Sequence, residues 1–155
     1  LEYKIGGLYL GAGYHTIERL AKGDDKEMAF GAGYKFGDFE IKGNYLEAEL
    51  EGTTATNGVE YKNANIGASY AMGANKFFLN FQQQKLNNGA KGNTVSLGYT
   101  YALSKRTNIY TTYAQLRNNG RATFGISSSS VTVAPPATAL GADPRVFNVG
   151  LRHSF

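Results

Sequence analysis

His15 and His153 are the two histidines of the chain, and neither has a second ligand-type residue at the short spacing a metal site needs. With no cysteine, thiolate ligation, a thiol nucleophile and a disulfide framework are excluded. The serine run 127–130 lacks both the strained strand-to-helix turn and the histidine partner that activate a nucleophilic hydroxyl, and reads as flexible loop. Gly31-Ala32-Gly33 has no third glycine at the right offset and no helix after it, so a dinucleotide cradle is unsupported. Asp24, Asp25, Glu47, Glu49 and Glu51 gather near loop ends, where carboxylate oxygens suit a hard divalent cation that bridges them to each other or to external phosphates; solvated loop charge is the default for such residues. The expectation is no catalytic residue, no metal site and no cofactor. The remaining chemistry is electrostatic, carried by Lys35, Lys42, Lys76 and Arg152 with the amides Asn80 and Gln82.

Those residues matter through the elements that hold them. Gly, Tyr, Thr and Asn crowd every segment, no stretch keeps apolar residues at helical spacing, and no apolar run reaches the 18 or more residues of a membrane helix. Period two dominates instead. Met28, Phe30, Ala32, Tyr34 and Phe36 alternate with Ala29, Gly31, Gly33 and Lys35, and equivalent alternations begin at Leu8, Phe39, Ile66, Phe77, Val95, Ile109 and Phe147. Eight strands of about ten residues result, the length that crosses a bilayer when tilted.

Connections alternate in length. Short ones fall at 4–7, 37–38, 72–75 and 104–106, and long ones at 20–26, 51–58, 86–92 and 117–143. Short turns then share one end of a meander and long loops the other, as in barrels with periplasmic turns and surface loops. Phe36, Phe39, Tyr70, Phe77 and Tyr101 share the apolar parity near the short turns and are expected to form a periplasmic aromatic girdle. Tyr14, Phe30, Tyr45, Tyr113 and Phe147 supply a second belt at the other end. The opposite parity carries Lys35, Lys42, Lys76, Asn80, Gln82 and Arg152, which would line a water-filled bore with a mild excess of cations. The net charge of +4 is spread without a block of like charges, which argues against a nucleic-acid partner. Glycine, at 20 residues, is nearly twice as frequent as usual, and its inward copies give the bore room. Leu1-Glu2-Tyr3-Lys4 has no Met, basic region or apolar signal core, the start expected of a processed or truncated chain.

The closing residues Asn148, Gly150, His153 and Phe155 are similar to the C-terminal assembly signal of outer-membrane barrels, with His153 where Tyr or Phe is usual. Such a strand can add edge to edge onto a receptor sheet. With Leu8-Tyr9-Leu10-Gly11-Ala12-Gly13-Tyr14 and Ser104-Lys105-Arg106-Thr107-Asn108-Ile109-Tyr110, the chain resembles the Gram-negative general diffusion porins, and most of all their beta-proteobacterial and neisserial-type branch. The resemblance matches the C-terminal half of a sixteen-stranded trimeric barrel, from the end of the eighth strand onward. It implies an all-β antiparallel transmembrane barrel segment over 1–155, with a long surface loop at about 117–143 and a C-terminal strand at 144–155. It also implies an outer-membrane location, passive diffusion of small hydrophilic solutes and anions, a homotrimer when full length, contact with membrane lipid and lipopolysaccharide, and insertion by the barrel-assembly machinery. The family's constriction loop and much of its basic ladder have no counterpart here. Two further readings remain open: a self-contained eight-stranded barrel acting as adhesin or anchor, and a partial barrel held as a substrate by the assembly machinery. Pairing of Leu8–Ile17 with Pro144–Phe155 would favour the self-contained barrel.

Overall fold

The computed structural model describes residues 1–18, 23–51, 58–127 and 132–155. Alternating side chains and glycine-bearing turns build β1(Glu2–Ile5), β2(Leu8–Glu18), β3(Asp24–Phe36), β4(Phe39–Leu50), β5(Val59–Met72), β6(Asn75–Leu86), β7(Lys91–Ala102) and β8(Thr107–Asn118). Two short strands, β9(Ile126–Ser127) and β10(Thr132–Val133), precede the last strand, β11(Arg145–His153). Nine of them form one antiparallel meander in the order β1-β2-β3-β4-β5-β6-β7-β8-β11, and β9 and β10 pair separately. The sheet is open: β2 lies between β1 and β3, while β11 pairs with β8. Leu8–Ile17 is therefore not joined to the C-terminal strand, and the chain by itself is not a closed eight-stranded barrel.

Gly37 and Gly73 sit in short turns at φ of 57° and 59°, the left-handed conformation that a residue without Cβ adopts freely. At the other end the strands outrun the apolar pattern. β3 begins at Asp24, so the connection after β2 is shorter than 20–26, and only residues 87–90 separate β6 from β7. Ladder hydrogen bonds do not need apolar side chains, and here the ladder continues through Thr16 opposite Lys26 and Lys85 opposite Lys91. Side-chain period therefore marks the apolar band and underestimates the strands.

A single layer has little interior. Among the described residues the buried apolar ones are Ala48, Ala90, Leu116, Ala122 and Val146, whereas Phe30, Leu79, Leu97, Val149 and Leu151 are exposed. Those exposed side chains share one face, because Leu79 stands opposite Leu97 and Ala68, and Val149 opposite Thr111. A continuous apolar surface of this kind is the face a hydrocarbon solvent would cover. Leu79 and Asn80 are neighbours on β6 with opposite faces, which predicts an asymmetry. Leu79→Arg should cost about 2–4 kcal/mol of stability in lipid vesicles, whereas Asn80→Arg should stay within about 0.5 kcal/mol, as read by urea unfolding.

Candidate functional site: the inner face of the sheet

Register assigns every strand residue to a face. One lateral row runs Lys4, Tyr9, Gly33, Lys42, Gly67, Asn80, Ser96, and the next runs Lys35, Glu40, Ser69, Phe78, Gly98, Thr112, Asn148. Lys76 follows opposite Thr100, then Tyr110 opposite Gly150, and Arg152 stands opposite Asn108. Thus Lys35, Lys42, Lys76, Asn80, Gln82 and Arg152 all fall on one polar face. Glu2, Lys4, Tyr9, Glu40, Lys42, Lys76 and Asn80 border one concavity on it, and Asn80, Gln82, Thr112, Asn148 and Arg152 border a second.

Charges on this face are arranged by depth. Lys42 Nζ lies 2.8 Å from Glu40 Oε1, and Glu40 also feels the fields of Lys76 and Lys35. Lys4 lies 3.8 Å from Glu2 and 5.3 Å from the ring centre of Tyr9, and Lys76 lies 5.0 Å from that of Phe78. These groups sit toward the short turns. Toward the long connections the same face carries Glu27 opposite His15, and buried Asp25, which accepts a hydrogen bond from the Glu51 amide at 2.8 Å. Lys4 and Glu2 escaped the sequence reading because four residues of β1 are too few to show a period.

Glycines on this face have a second use. A Cβ on Gly150 would meet the Tyr110 ring, and one on Gly98 would contact Phe78, so both aromatic rings lie over bare backbone. Gly150 is thus placed by Tyr110, while Asn148 Nδ2 donates to Thr112 Oγ1 at 3.2 Å. His153 faces the other way. Its Nδ1 is 2.9 Å from Thr107 Oγ1 and its ring is edge-on to Phe155 at 4.9 Å, outside the end of β11.

The long connection after β8 packs against the inner face over its described part. Gly125, Ile126 and Ser127 border the same concavity as Thr94, Ser96 and Val146. Leu116 is fully buried, and a Cβ on Gly92 would strike both Leu116 and the Phe124 ring. Asn118 fastens the segment, its Nδ2 donating to Phe124 O at 2.9 Å and Ala142 O at 2.7 Å, while its amide donates to Asp143 Oδ1 at 2.8 Å. Asn119 Nδ2 donates to Gly89 O at 2.8 Å, tying it to the neighbouring connection. Ser128, Ser129 and Ser130 lie outside the described residues; Ser127 Oγ accepts a hydrogen bond from Thr132 Oγ1 at 3.2 Å.

Outward, Phe36, Phe39, Tyr70, Phe77 and Tyr99 stand in direct register across β3 to β7, with Phe36–Phe39 and Phe77–Tyr99 ring centres 4.9 and 5.2 Å apart. Tyr101 lies one step nearer the turn, opposite Asn75. The second belt is interrupted. Phe30 faces Tyr45, and that row continues through Ala64, Gln83 and Asn93 to Arg117, whereas the Tyr113–Phe147 pair stands in the row of Leu79 and Leu97. The carboxylates near the loop ends are also divided. Asp25 is inward, whereas Asp24, Glu47 and Glu49 are outward, and Glu47 is engaged by Lys62 at 2.8 Å and Tyr45 Oη at 2.9 Å. Among the described residues no three His, Cys, Asp or Glu side chains are grouped to hold a metal ion.

Residues 1–121 match the model of the Gram-negative porin family. Over 140 residues, 85% of the chain, the sequence is 27% identical to outer membrane porin protein 32 of Delftia acidovorans, of which it covers 37%. The fold matches an anion-selective porin from Comamonas acidovorans with a TM-score of 0.85 and 26% identity, over 99% of this chain and 47% of that one. It also matches the OmpT outer membrane protein of Vibrio cholerae in its trimer form, with a TM-score of 0.66 over 98% of this chain and 53% of that one, where 19% identity speaks to fold alone. The chain thus spans about half or less of the proteins it matches. An open polar-lined meander with an apolar outer face is the wall of a transmembrane β-barrel, and the chain belongs to the Gram-negative porin family.

Proposed function

We propose that this chain forms part of the wall of a passive channel in the Gram-negative outer membrane, through which small hydrophilic solutes diffuse with a mild preference for anions. The observation that carries the reading is the inner face itself. Lys4, Lys35, Lys42, Lys76 and Arg152 project from it against Glu2, Asp25, Glu27 and Glu40, among amides and hydroxyls that substitute for hydration. Fixed cations raise the local anion concentration, and the anion selectivity named for the Comamonas protein supports the same sign. Lipid covers the opposite face, and the aromatic row beside the short turns fits the periplasmic interface. Closure needs partners for the free edges of β1 and β11, because hydrocarbon does not tolerate unpaired peptide groups. Assembly into a homotrimer and delivery by the barrel-assembly machinery through Asn148, Gly150, His153 and Phe155 belong to the same proposal.

The packed segment after β8 would narrow the bore at its outer mouth. It rests on Leu116, whose truncation to Ala should cost about 3 kcal/mol locally. The expected result is higher and noisier single-channel conductance, with faster protease cleavage within residues 119–127. Replacing Lys35, Lys42 and Lys76 together by Glu should move the reversal potential in a salt gradient to cation preference, changing the permeability ratio by roughly tenfold. Cation preference in the unaltered protein would overturn the selectivity. Phe155→Ala should slow insertion in an assembly assay by about threefold or more, since the exposed terminal ring, edge-on to His153, is free to enter a receptor pocket.

A further inference from the structure

The inner face divides laterally as well as by depth. From β1 to β6 it is charged, and its charges engage one another: Lys4 with Glu2, Lys42 with Glu40, and Tyr9 Oη donating to Glu2 Oε1 at 3.5 Å. On β7, β8 and β11 the inward residues are neutral except for Arg152. The concavity over these strands measures about 680 Å³, within the range of small-molecule sites. Its polar groups are largely unengaged. Among the described residues Asn80, Gln82, Asn108 and Tyr110 have no side-chain hydrogen-bond partner, and Arg152 has no ion-pair partner. Paired charges offer a solute little, whereas free amides and hydroxyls are satisfied by water or by a solute that displaces it.

A second observation falls in the same concavity. The Tyr110 ring rests on the bare backbone of Gly150 and is half-exposed, so one face is supported and the other is open to the bore. Thr100 stands directly opposite Tyr110, Asn108 and Thr112 lie two residues away on β8, and Arg152 is opposite Asn108. Phe78 is the other inward ring here, but Lys76 Nζ stands 5.0 Å from its centre and competes for its face. Tyr110 is therefore the open platform. A pyranose differs from an ion or a linear polyol in having an apolar C–H face that stacks on such a ring while its hydroxyls reach amides at the rim. Length agrees as well. Six residues of β8 separate Tyr110 from Leu116, which shares its row with Thr94 and Gln82, about 20 Å of wall. Gly125, Ile126 and Ser127 border the same concavity and help to enclose it.

We propose that this neutral sector of the inner face binds a short, uncharged oligosaccharide, with one pyranose stacked on Tyr110 and its hydroxyls held by Thr100, Asn108 and Thr112, and with Asn80 and Gln82 serving a further ring. One cation among so many amides and hydroxyls argues for a neutral ligand over an anion, for which the charged sector from β1 to β6 is the better surface. The inference rests on the reading of this face as a water-filled bore. Saturation-transfer NMR on the channel that contains this chain, in neutral detergent, tests it with maltotriose, cellotriose and sorbitol as probes. At least one trisaccharide should bind about tenfold or more tightly than sorbitol, with saturation strongest at the axial C–H protons of one ring face. Tyr110→Ala should weaken that binding about tenfold, and Tyr110→Phe, which keeps the platform, should stay within about twofold of wild type. Binding is read here without any current, so a channel that conducts but binds no sugar defeats this proposal alone, and sugar binding without conduction defeats the channel reading alone. Binding of the trisaccharides no tighter than sorbitol would overturn the proposal, as would undiminished binding by Tyr110→Ala once its fold is checked by circular dichroism. Displacement of the sugar by equimolar benzoate, abolished in Arg152→Gln, would assign the site to aromatic carboxylates and overturn it as well.

Discussion

A peptide group left unpaired in hydrocarbon costs several kcal/mol, and that penalty organises everything else in this molecule. It forces each strand to find a neighbour on both sides, which makes the continuous ladder from β1 to β11 the frame of the structure. With the backbone satisfied inside the sheet, side chains are free to divide by solvent. Lipid claims one parity and water the other. At the free edges of β1 and β11 that rule is left unmet within this sheet.

The division by face lets a chain with almost no interior remain ordered. A soluble sheet of this size would bury a second layer, whereas here Leu79, Leu97, Val149 and Leu151 stay exposed and leave a solvent to complete the packing. Packing inside the molecule is concentrated in one corner, where Leu116, Gly92 and Phe124 meet and Asn118 satisfies carbonyls that the long connection would otherwise leave bare. Inner glycines matter by a related logic, since Gly98 and Gly150 let Phe78 and Tyr110 lie flat against the wall. The inner face stays shallow there because large side chains rest on bare backbone instead of projecting from it.

Strand existence, face and order were legible because each depends on a local period of two residues, as Met28 to Phe36 or Val95 to Tyr101 illustrate. The shared face of Phe36, Phe39, Tyr70 and Phe77 was legible for the same reason, although Tyr99 rather than Tyr101 continues their row. Strand ends were not. Beyond the apolar band a polar ladder such as Thr16 opposite Lys26 is stable by hydrogen bonding alone and leaves no mark in the hydropathy pattern. β1 was invisible as a contributor of Glu2 and Lys4, and the acidic residues near the loop ends looked gathered until register sent Asp25 inward and Glu47 outward.

Sequence alone therefore determined which residues share a face along each of the eight long strands, since that follows from parity and composition along the strand. It also determined the absence of thiol chemistry, because no cysteine is present. Only the tertiary structure decided which charges stand beside which, because lateral neighbours come from registers between strands ten to thirty residues apart. The Lys35, Glu40, Lys42 and Lys76 cluster, the row of Lys62, Lys85 and Lys91, and the folding of residues 119–127 onto the inner face all have that origin. Period is a property of one strand, while electrostatics and loop packing are properties of several.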